Sequence, residues 1–193
     1  MNNVFILCAG RTASTSFTHA CTHITNYSSA HESRVGLLSD ERVKYPDNHI
    51  EVDNRLVWFL SRLNKRFGDE AYYVNLTRDS HAIARSYCER WHLNESIVKA
   101  YGHGLLMNTK IRKADRMKYC LDYVETVNFN ITQFIADKPK VMTIDVSELG
   151  AKFSDFFHFI EAKGNLEKCI AEFAVISNKN KSNPLKKMWN SFR

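Results

Sequence analysis

Residues 6–24, with the sequence ILCAGRTASTSFTHACTHI, decide the fold of this chain. The stretch completes an apolar run that begins at Val4, turns at Gly10 and continues into a segment with the periodicity of a helix. The apolar positions of that helix, spaced by three and four residues, are Phe17, Cys21 and Ile24. A strand that leads directly into a helix points free backbone N–H groups and the positive end of the helix dipole at one spot. The order of strand, turn and helix therefore predicts an anion-binding site just after the strand.

The turn itself differs from the phosphate-binding loop of the nucleotide triphosphatases. Walker-type loops read G-x-x-x-x-G-K-[ST], in which the lysine reaches the outer phosphates and the hydroxyl binds magnesium. Here the only cation of the loop is Arg11, directly after Gly10. The hydroxyl residues that follow are favoured at helix N-termini, and we expect them to cap the helix. On these residues alone, an anion-binding loop and an ordinary capped helix start both explain the stretch.

Length and charge limit the class of protein and its partners. A chain of 193 residues suits one domain spanning residues 1–193 with a full hydrophobic core. The hydrophobic content of 44% excludes a disordered chain. The net charge of +6 favours an anionic partner and leaves nucleotides, nucleic acids, acidic glycans and membrane surfaces open. The basic end of the chain, about residues 179–193, is expected to be a solvated tail or to fold over a bound nucleotide.

Cysteine usage and hydropathy bear on the location of the protein. The five cysteines are odd in number, scattered and without a C-x-x-C pair, a pattern typical of reduced thiols in a cytoplasm. The N-terminal apolar run is only as long as a strand and lacks the features of a signal peptide. We therefore expect a cytoplasmic protein without a transmembrane segment. The sequence leaves the oligomeric state open.

Four short apolar segments are predicted to be strands, and the segments between them are predicted to be helices. The predicted strands are residues 3–8, 26–30, 72–77 and 140–145. Asp53 can cap one helix, and a longer helix is expected over about residues 112–136. This alternation predicts an α/β fold, a three-layer sandwich in which helices flank a short central parallel sheet. Because ligands of such sheets bind beyond the carboxyl ends of the strands, functional residues are expected just after each predicted strand.

A second candidate anion site follows the third predicted strand, in the sequence LTRDSHAIARSY, residues 76–87. Arg78 stands at the end of that strand. Asp79 or Ser80 can cap the next helix, and Ser86 lies about two turns along it. An arginine and a nearby hydroxyl can together bind a phosphate. The chain is therefore expected to bind two anionic groups some distance apart.

The two motifs resemble those of the sulfotransferases that use 3′-phosphoadenosine-5′-phosphosulfate (PAPS). The family's first motif, G-[RK]-[ST]-G-[ST]-[ST], is matched by Gly10-Arg11-Thr12-Ala13-Ser14-Thr15. Its second motif, L-x-R-D-P followed by S-x or S-Y, is matched by Leu76-Thr77-Arg78-Asp79-Ser80 and Ser86-Tyr87. The resemblance covers residues 1–91. It implies a P-loop nucleotide-triphosphatase-like fold, PAPS as co-substrate, adenosine 3′,5′-bisphosphate (PAP) as product, and no requirement for a metal.

The resemblance also implies roles for individual residues. The first loop would bind the 5′-phosphosulfate through Gly10, Arg11, Thr12, Ala13, Ser14, Thr15 and Ser16. Arg78 and Ser86 would bind the 3′-phosphate, and Arg11 would neutralise charge on the sulfuryl oxygens or the departing phosphate during catalysis. Ala13 replaces the glycine of the motif, which is tolerated only if the position does not need a positive φ. Ser80 replaces a proline, and we expect little effect because both residues suit a helix start.

Two candidate bases stand in the sequence SSAHESRVG, residues 28–36, after the second predicted strand. An acceptor hydroxyl loses its proton as it attacks sulfur, and a carboxylate or an imidazole can take that proton. The run Glu32-Ser33-Arg34 resembles the E-[ST]-R of tyrosylprotein sulfotransferases, whose glutamate is the catalytic base, whereas histidine serves in other branches of the family. We therefore expect Glu32 to be the base, with His31 as the alternative.

The leading hypothesis is an enzyme, a sulfotransferase that moves a sulfuryl group from PAPS to a hydroxyl or amine of a carbohydrate or small molecule. A divergent P-loop nucleotide kinase is one alternative, which would need a metal site and a loop lysine. A non-catalytic module that binds nucleotides or nucleic acid is another, although no RNA-binding signature is present and we expect no nucleic-acid partner. Residues 91–104, WHLNESIVKAYGHG, are expected either to line an acceptor pocket or to belong to the core through their aromatic residues.

Overall fold

A computed structural model describes the backbone of residues 2–181 and the side chains of residues 2–174. Its centre is a sheet of five parallel strands in the order β2-β3-β1-β4-β5. The strands are β1 (Val4–Leu7), β2 (Ser28–His31), β3 (His49–Val52), β4 (Tyr72–Thr77) and β5 (Val141–Asp145). The predicted α/β fold with a short central parallel sheet is confirmed.

Helices lie between most of the strands and after the last one, whereas the connection from β2 to β3 contains only a 3₁₀ turn, Ser39–Val43. They are α1 (Ser14–Cys21), α2 (Leu60–Phe67), α3 (Ser80–Glu89), α4 (Ile97–Ala100), α5 (Arg116–Ile135), α6 (Leu149–Phe159) and α7 (Leu166–Lys181). The helix predicted over about 112–136 corresponds to α5, which begins four residues later than expected. Asp53 caps as predicted by accepting a hydrogen bond from the Arg55 N–H, but the segment it starts is a 3₁₀ turn, Asn54–Phe59, that leads into α2.

The sheet separates two hydrophobic cores, because successive strand side chains point to opposite faces. Val4 and Ile6 of β1 pack in one core with helices α1, α6 and α7. Phe5 and Leu7 pack in the other with helices α2, α3 and α5. Helices therefore cover both faces of the sheet, as in the three-layer sandwich that the alternation of elements predicted.

Strand β3 is absent from the predicted set of strands. Its sequence alternates the apolar Ile50 and Val52 with the polar His49 and Glu51, yet all four side chains are buried. The two polar side chains share one face of the sheet, where their hydrogen-bond partners include residues from a distant part of the chain. Because of β3, a further loop, residues 53–55, joins the loops after β1, β2 and β4 at the carboxyl edge of the sheet.

The predicted basic tail, about residues 179–193, lies largely outside the described residues, because the description ends at residue 181. Its proposed contact with a nucleotide and its alternative as a solvated tail both stay predictions.

Candidate functional site

The loop after β1 has an unusual backbone. Gly10, Arg11 and Ala13 all have positive φ, at 78°, 59° and 57°. At Gly10 there is also no room for a side chain, since a Cβ would collide with the Tyr87 hydroxyl and the Asn54 amide. Position 10 therefore needs glycine both for its conformation and for the close approach of its neighbours.

The start of α1 differs from the prediction. Ala13, and not a hydroxyl residue, is the N-cap, and its side chain makes no capping hydrogen bond. The expectation that Ser and Thr residues cap this helix is therefore wrong, and the condition attached to Ala13 is not met, because its φ is positive. Without a side-chain cap at position 13, the first-turn N–H groups of α1 stay available to an external anion.

Three arginines form a cluster next to the first loop, and two of them bond to Ser86. The Arg11 Nε donates a hydrogen bond to Ser86 Oγ at 3.0 Å, and the Arg90 Nη1 donates to the same oxygen at 2.9 Å. The Arg78 Nη1 donates to the Arg11 carbonyl oxygen at 2.7 Å. Within the described part of the chain, none of these three guanidinium groups forms an ion pair. The cluster is therefore a concentration of positive charge that suits an anionic ligand.

Electrostatics within this cluster follow from its geometry. Burial lowers the pKa of Arg11, and the positive charges of Arg90 and Arg78 lower it further. Mutual repulsion of this kind is relieved when an anion binds between the cations. Arg90 was missed by the sequence analysis, although its position four residues after Ser86 places both on one side of the helix.

Tyr87 joins helix α3 to the first loop. Its buried hydroxyl donates a hydrogen bond to the Ala9 carbonyl oxygen at 2.8 Å. Burial raises the pKa of Tyr87, so the hydroxyl keeps its proton and remains a donor at neutral pH. The residue thereby holds the loop at the point where it turns toward α1.

The two candidate bases lie at the carboxyl end of β2. Glu32 has a φ of 51°, and its Oε2 lies 2.6 Å from the Arg55 Nη1. Both side chains of this ion pair are partly accessible, at 28% for Glu32 and 29% for Arg55. The His31 Nε2 lies 3.0 Å from Ser14 Oγ at the start of α1. Arg55 was missed because β3, the strand that it follows, was missed.

A cavity of about 480 Å³ brings most of these groups together. The predicted residues that line it are Gly10, Arg11, Ser14, Thr15, His31 and Glu32. The additional lining residues include Asn54, Arg55, Tyr87, Arg90 and residues 93–97. Of the remaining predicted residues, Ala13, Ser16, Arg78 and Ser86 are outside this lining, and the Thr12 side chain is fully buried. Thr12 as a whole is buried, so neither its side chain nor its backbone lines the cavity.

The segment 91–104 is divided between the two expected roles. Residues 93–97 line the main cavity, whereas the aromatic side chains of Trp91 and Tyr101 are buried in the core. His103 and Lys99 line a neighbouring cavity of about 440 Å³, which shares Arg55 and residues 94–97 with the first. Residues 93–97, Lys99 and His103 thus face cavities, whereas Trp91 and Tyr101 belong to the core.

Neither a metal-binding cluster nor a membrane-spanning helix occurs in the described part of the chain. Residues 2–181 contain no group of three or more His, Cys, Asp or Glu side chains arranged to hold a metal ion. Among the helices of the same residues, none has the length and apolar character needed to cross a membrane.

Comparison with known proteins bears on the fold. No family model and no curated protein matches the sequence. Among solved structures, mouse sulfotransferase SULT7A1 complexed with PAP is 12% identical with a TM-score of 0.59, and the match covers 89% of this chain and 64% of the mouse chain. A sulfotransferase from Alicyclobacillus acidocaldarius is 10% identical with a TM-score of 0.55, over 84% of this chain and 82% of that one. The predicted resemblance to sulfotransferases is therefore confirmed for the fold.

Proposed function

We propose that this protein is a PAPS-dependent sulfotransferase that transfers a sulfuryl group to a hydroxyl or amine acceptor. The observation that carries the proposal is the cluster of Arg11, Arg78 and Arg90, two of which bond to Ser86, beside an uncapped helix start. A P-loop-like sheet that presents two anion-binding features is what a donor with a 3′-phosphate and a 5′-phosphosulfate requires. The fold shared with two solved sulfotransferases, one of them complexed with PAP, supports the same proposal.

In this proposal the donor binds along both features. Arg78, Ser86 and Arg90 bind the 3′-phosphate, and the loop from Gly10 to Ser16 binds the 5′-phosphosulfate with its backbone N–H groups. Arg11 belongs to the loop by its backbone and reaches Ser86 by its side chain. It therefore links the two features and adds positive charge between them.

The chemistry is an in-line transfer. An acceptor oxygen or nitrogen forms a bond to sulfur while the bond between sulfur and the bridging phosphate oxygen breaks, and PAP departs with the electron pair of that bond. The acceptor proton passes to the Glu32 carboxylate, with His31 as the alternative base. Arg11 and the N–H groups of the loop stabilise the negative charge that develops on the departing phosphate.

The acceptor proposed is a carbohydrate or a polar small molecule. The cavity lining also includes Asn54 and the segment 94–96, which is Asn, Glu and Ser. Amide, carboxylate and hydroxyl groups are suited to hydrogen bonds with the hydroxyl groups of sugars. A cytoplasmic location is part of the proposal, since all five cysteines are free thiols.

Thermal unfolding with PAP tests the donor site without knowledge of the acceptor. At about a hundred times the dissociation constant, PAP should stabilise the protein by roughly 2.7 kcal/mol, which raises Tm by about 5–10 °C for a chain of this size. The rise should persist with chelator and be lost in Arg78→Ala. A magnesium-dependent rise with ATP and none with PAP would instead favour a kinase, and stabilisation by oligonucleotides alone would favour a nucleic-acid-binding module.

Labelled PAPS then tests transfer. Incubation with a panel of oligosaccharides, phenols and amines should give labelled product with at least one acceptor, or labelled sulfate with water as a slow acceptor. PAP binding without any transfer or hydrolysis would contradict the proposed enzyme and leave a nucleotide-binding protein.

A further inference from the structure

Strand β3 carries an unusual row of buried polar groups on one face. The relative exposures of His49, Glu51 and Asp53 are 5%, 0% and 0%. Removing carboxylates from water is costly unless they are paired and hydrogen-bonded, so two of them in one row require specific partners. The hydrogen bonds of Glu51 and Asp53 connect both carboxylates to the Glu32–Arg55 pair.

Glu51 is connected to the Glu32 side of that pair. Its Oε1 accepts a hydrogen bond from the Ser33 N–H at 2.7 Å, and its Oε2 accepts one from Ser33 Oγ at 2.6 Å. The His49 Nε2 lies 3.0 Å from the same Oε2. Since Ser33 directly follows Glu32, these bonds fix the peptide next to Glu32, whose φ of 51° is uncommon for a non-glycine residue.

Asp53 is connected to the Arg55 side. Its Oδ1 accepts a hydrogen bond from the Arg55 N–H at 2.7 Å. Its Oδ2 lies 2.5 Å from the Arg42 Nη2, in an ion pair whose side chains are 3% and 0% exposed. Arg42 also donates to the Tyr45 hydroxyl at 3.2 Å, and the Tyr45 ring stacks on His49. Glu51 and Asp53 are thus connected in two ways. One series of contacts runs through His49, Tyr45 and Arg42. The other runs through Ser33 and the Glu32–Arg55 pair.

We propose that Glu51 and Asp53 are positioning residues for the Glu32–Arg55 pair. Glu51 holds Glu32 through Ser33, and Asp53 holds Arg55 through its backbone. Glu32 and Arg55 are thus both held by buried carboxylates from one row, so Glu32 faces an acceptor in a fixed orientation. The inference rests on the proposed role of Glu32 as the base, and it adds the buried groups that orient it.

Two serines give a matched test, because both bond to this buried network and only one adjoins Glu32. Ser33 Oγ bonds to Glu51, whereas Ser28 Oγ lies 2.8 Å from the His49 Nδ1 at the far end of β2. Ser33→Ala should lower kcat for labelled PAPS about tenfold, measured with the best acceptor or with water, and leave the Kd of PAP unchanged. Ser28→Ala should leave both within twofold. In a Glu32→Gln background, Ser33→Ala should cause no further loss, because the two residues act through one group.

Amide exchange supplies a readout that does not depend on turnover. Glu51→Met removes both oxygens that accept from Ser33, so exchange at the Ser33 amide should become at least tenfold faster than in the native protein. Ser28→Ala should leave that exchange unchanged. Unaltered exchange in a folded Glu51→Met variant would overturn the proposed link between Glu51 and the Glu32 loop.

The outcomes separate this inference from the proposed function. An active protein in which Glu32→Gln is inactive while Ser33→Ala behaves like Ser28→Ala would overturn the positioning role and leave the sulfotransferase proposal intact. A protein that neither binds PAP nor consumes PAPS would overturn the proposed function and, with it, any role of Glu51 in catalysis.

Discussion

The two sides of the cavity distribute their charges differently. Around Ser86, Arg11 and Arg90 lie close together, and within the described residues neither forms an ion pair. Around Glu32, the charges are paired, as in Glu32–Arg55 and Asp53–Arg42. Unpaired cations suit a surface that binds an anionic ligand, because the ligand then supplies the opposite charge. Paired charges suit a surface that must keep a reactive side chain in place. From this difference we expect Arg90 to matter mainly for binding of PAP and Arg42 mainly for folding.

The largest effect should come from the paired side. Arg42→Met leaves the Asp53 carboxylate buried without its partner, so the free energy of unfolding should fall by about 3–5 kcal/mol in urea denaturation. Arg90→Met is the matched change on the unpaired side. It should alter the stability of the free protein by less than about 1 kcal/mol and weaken PAP binding about tenfold or more. Equal losses of stability in the two variants would contradict the comparison.

The next largest effect on stability should come from the backbone of the loop after β1, on the side of the cavity where the donor is proposed to bind. Gly10→Ala should destabilise the protein by about 2–4 kcal/mol and abolish the thermal shift with PAP, because the new methyl group meets Tyr87 and Asn54. Gly36→Ala is the control, since Gly36 also has a positive φ, at 85°, but a methyl group there would meet no atom within 4 Å beyond its chain neighbours. It should cost only about 1 kcal/mol and leave the shift intact.

Substitution of the candidate base Glu32 should affect turnover and not the binding of PAP. Glu32→Gln should lower kcat about a hundredfold, equivalent to about 2.7 kcal/mol, while the Kd of PAP changes less than twofold. His31→Gln, at the neighbouring position, should lower kcat less than tenfold. The reverse ranking in steady-state kinetics would assign the base to His31.

The smallest effect concerns the cap of α1. Ala13→Gly should stabilise the protein by about 1 kcal/mol, because glycine adopts the positive φ of this position without strain. Ala20→Gly, at a buried position inside the same helix, should change stability by a similar amount in the opposite direction. If both changes destabilise, the packing of the Ala13 methyl group outweighs the relief of backbone strain.

The structural elements of the proposed donor side could be predicted from the sequence because their signals are local. An apolar strand, a glycine turn and a helix lie within twenty-one residues of one another, and Arg78 and Ser86 share one short segment. The positive φ of Ala13 could not be predicted in this way, because alanine does not favour that conformation.

The paired side could be predicted only in part. His31 and Glu32 stand at the end of a recognisable strand, but β3 has only four residues, and two of them, His49 and Glu51, are polar. Their burial depends on Ser33 and Ser28, and that of Asp53 on Arg42, and these partners are brought together only by the folded sheet. Because β3 was missed, Arg55, the residue that pairs with the candidate base Glu32, was missed as well.

The crowding at Gly10 has a consequence for how this sequence can diverge. The space that a side chain at position 10 would need is filled by the Tyr87 hydroxyl and the Asn54 amide. Three positions that are far apart along the chain therefore constitute a single evolutionary unit. We expect homologues without glycine at position 10 to carry there a residue that tolerates a positive φ, such as asparagine, and smaller side chains at both other positions, so that the change destabilises the fold when it is moved alone into this sequence.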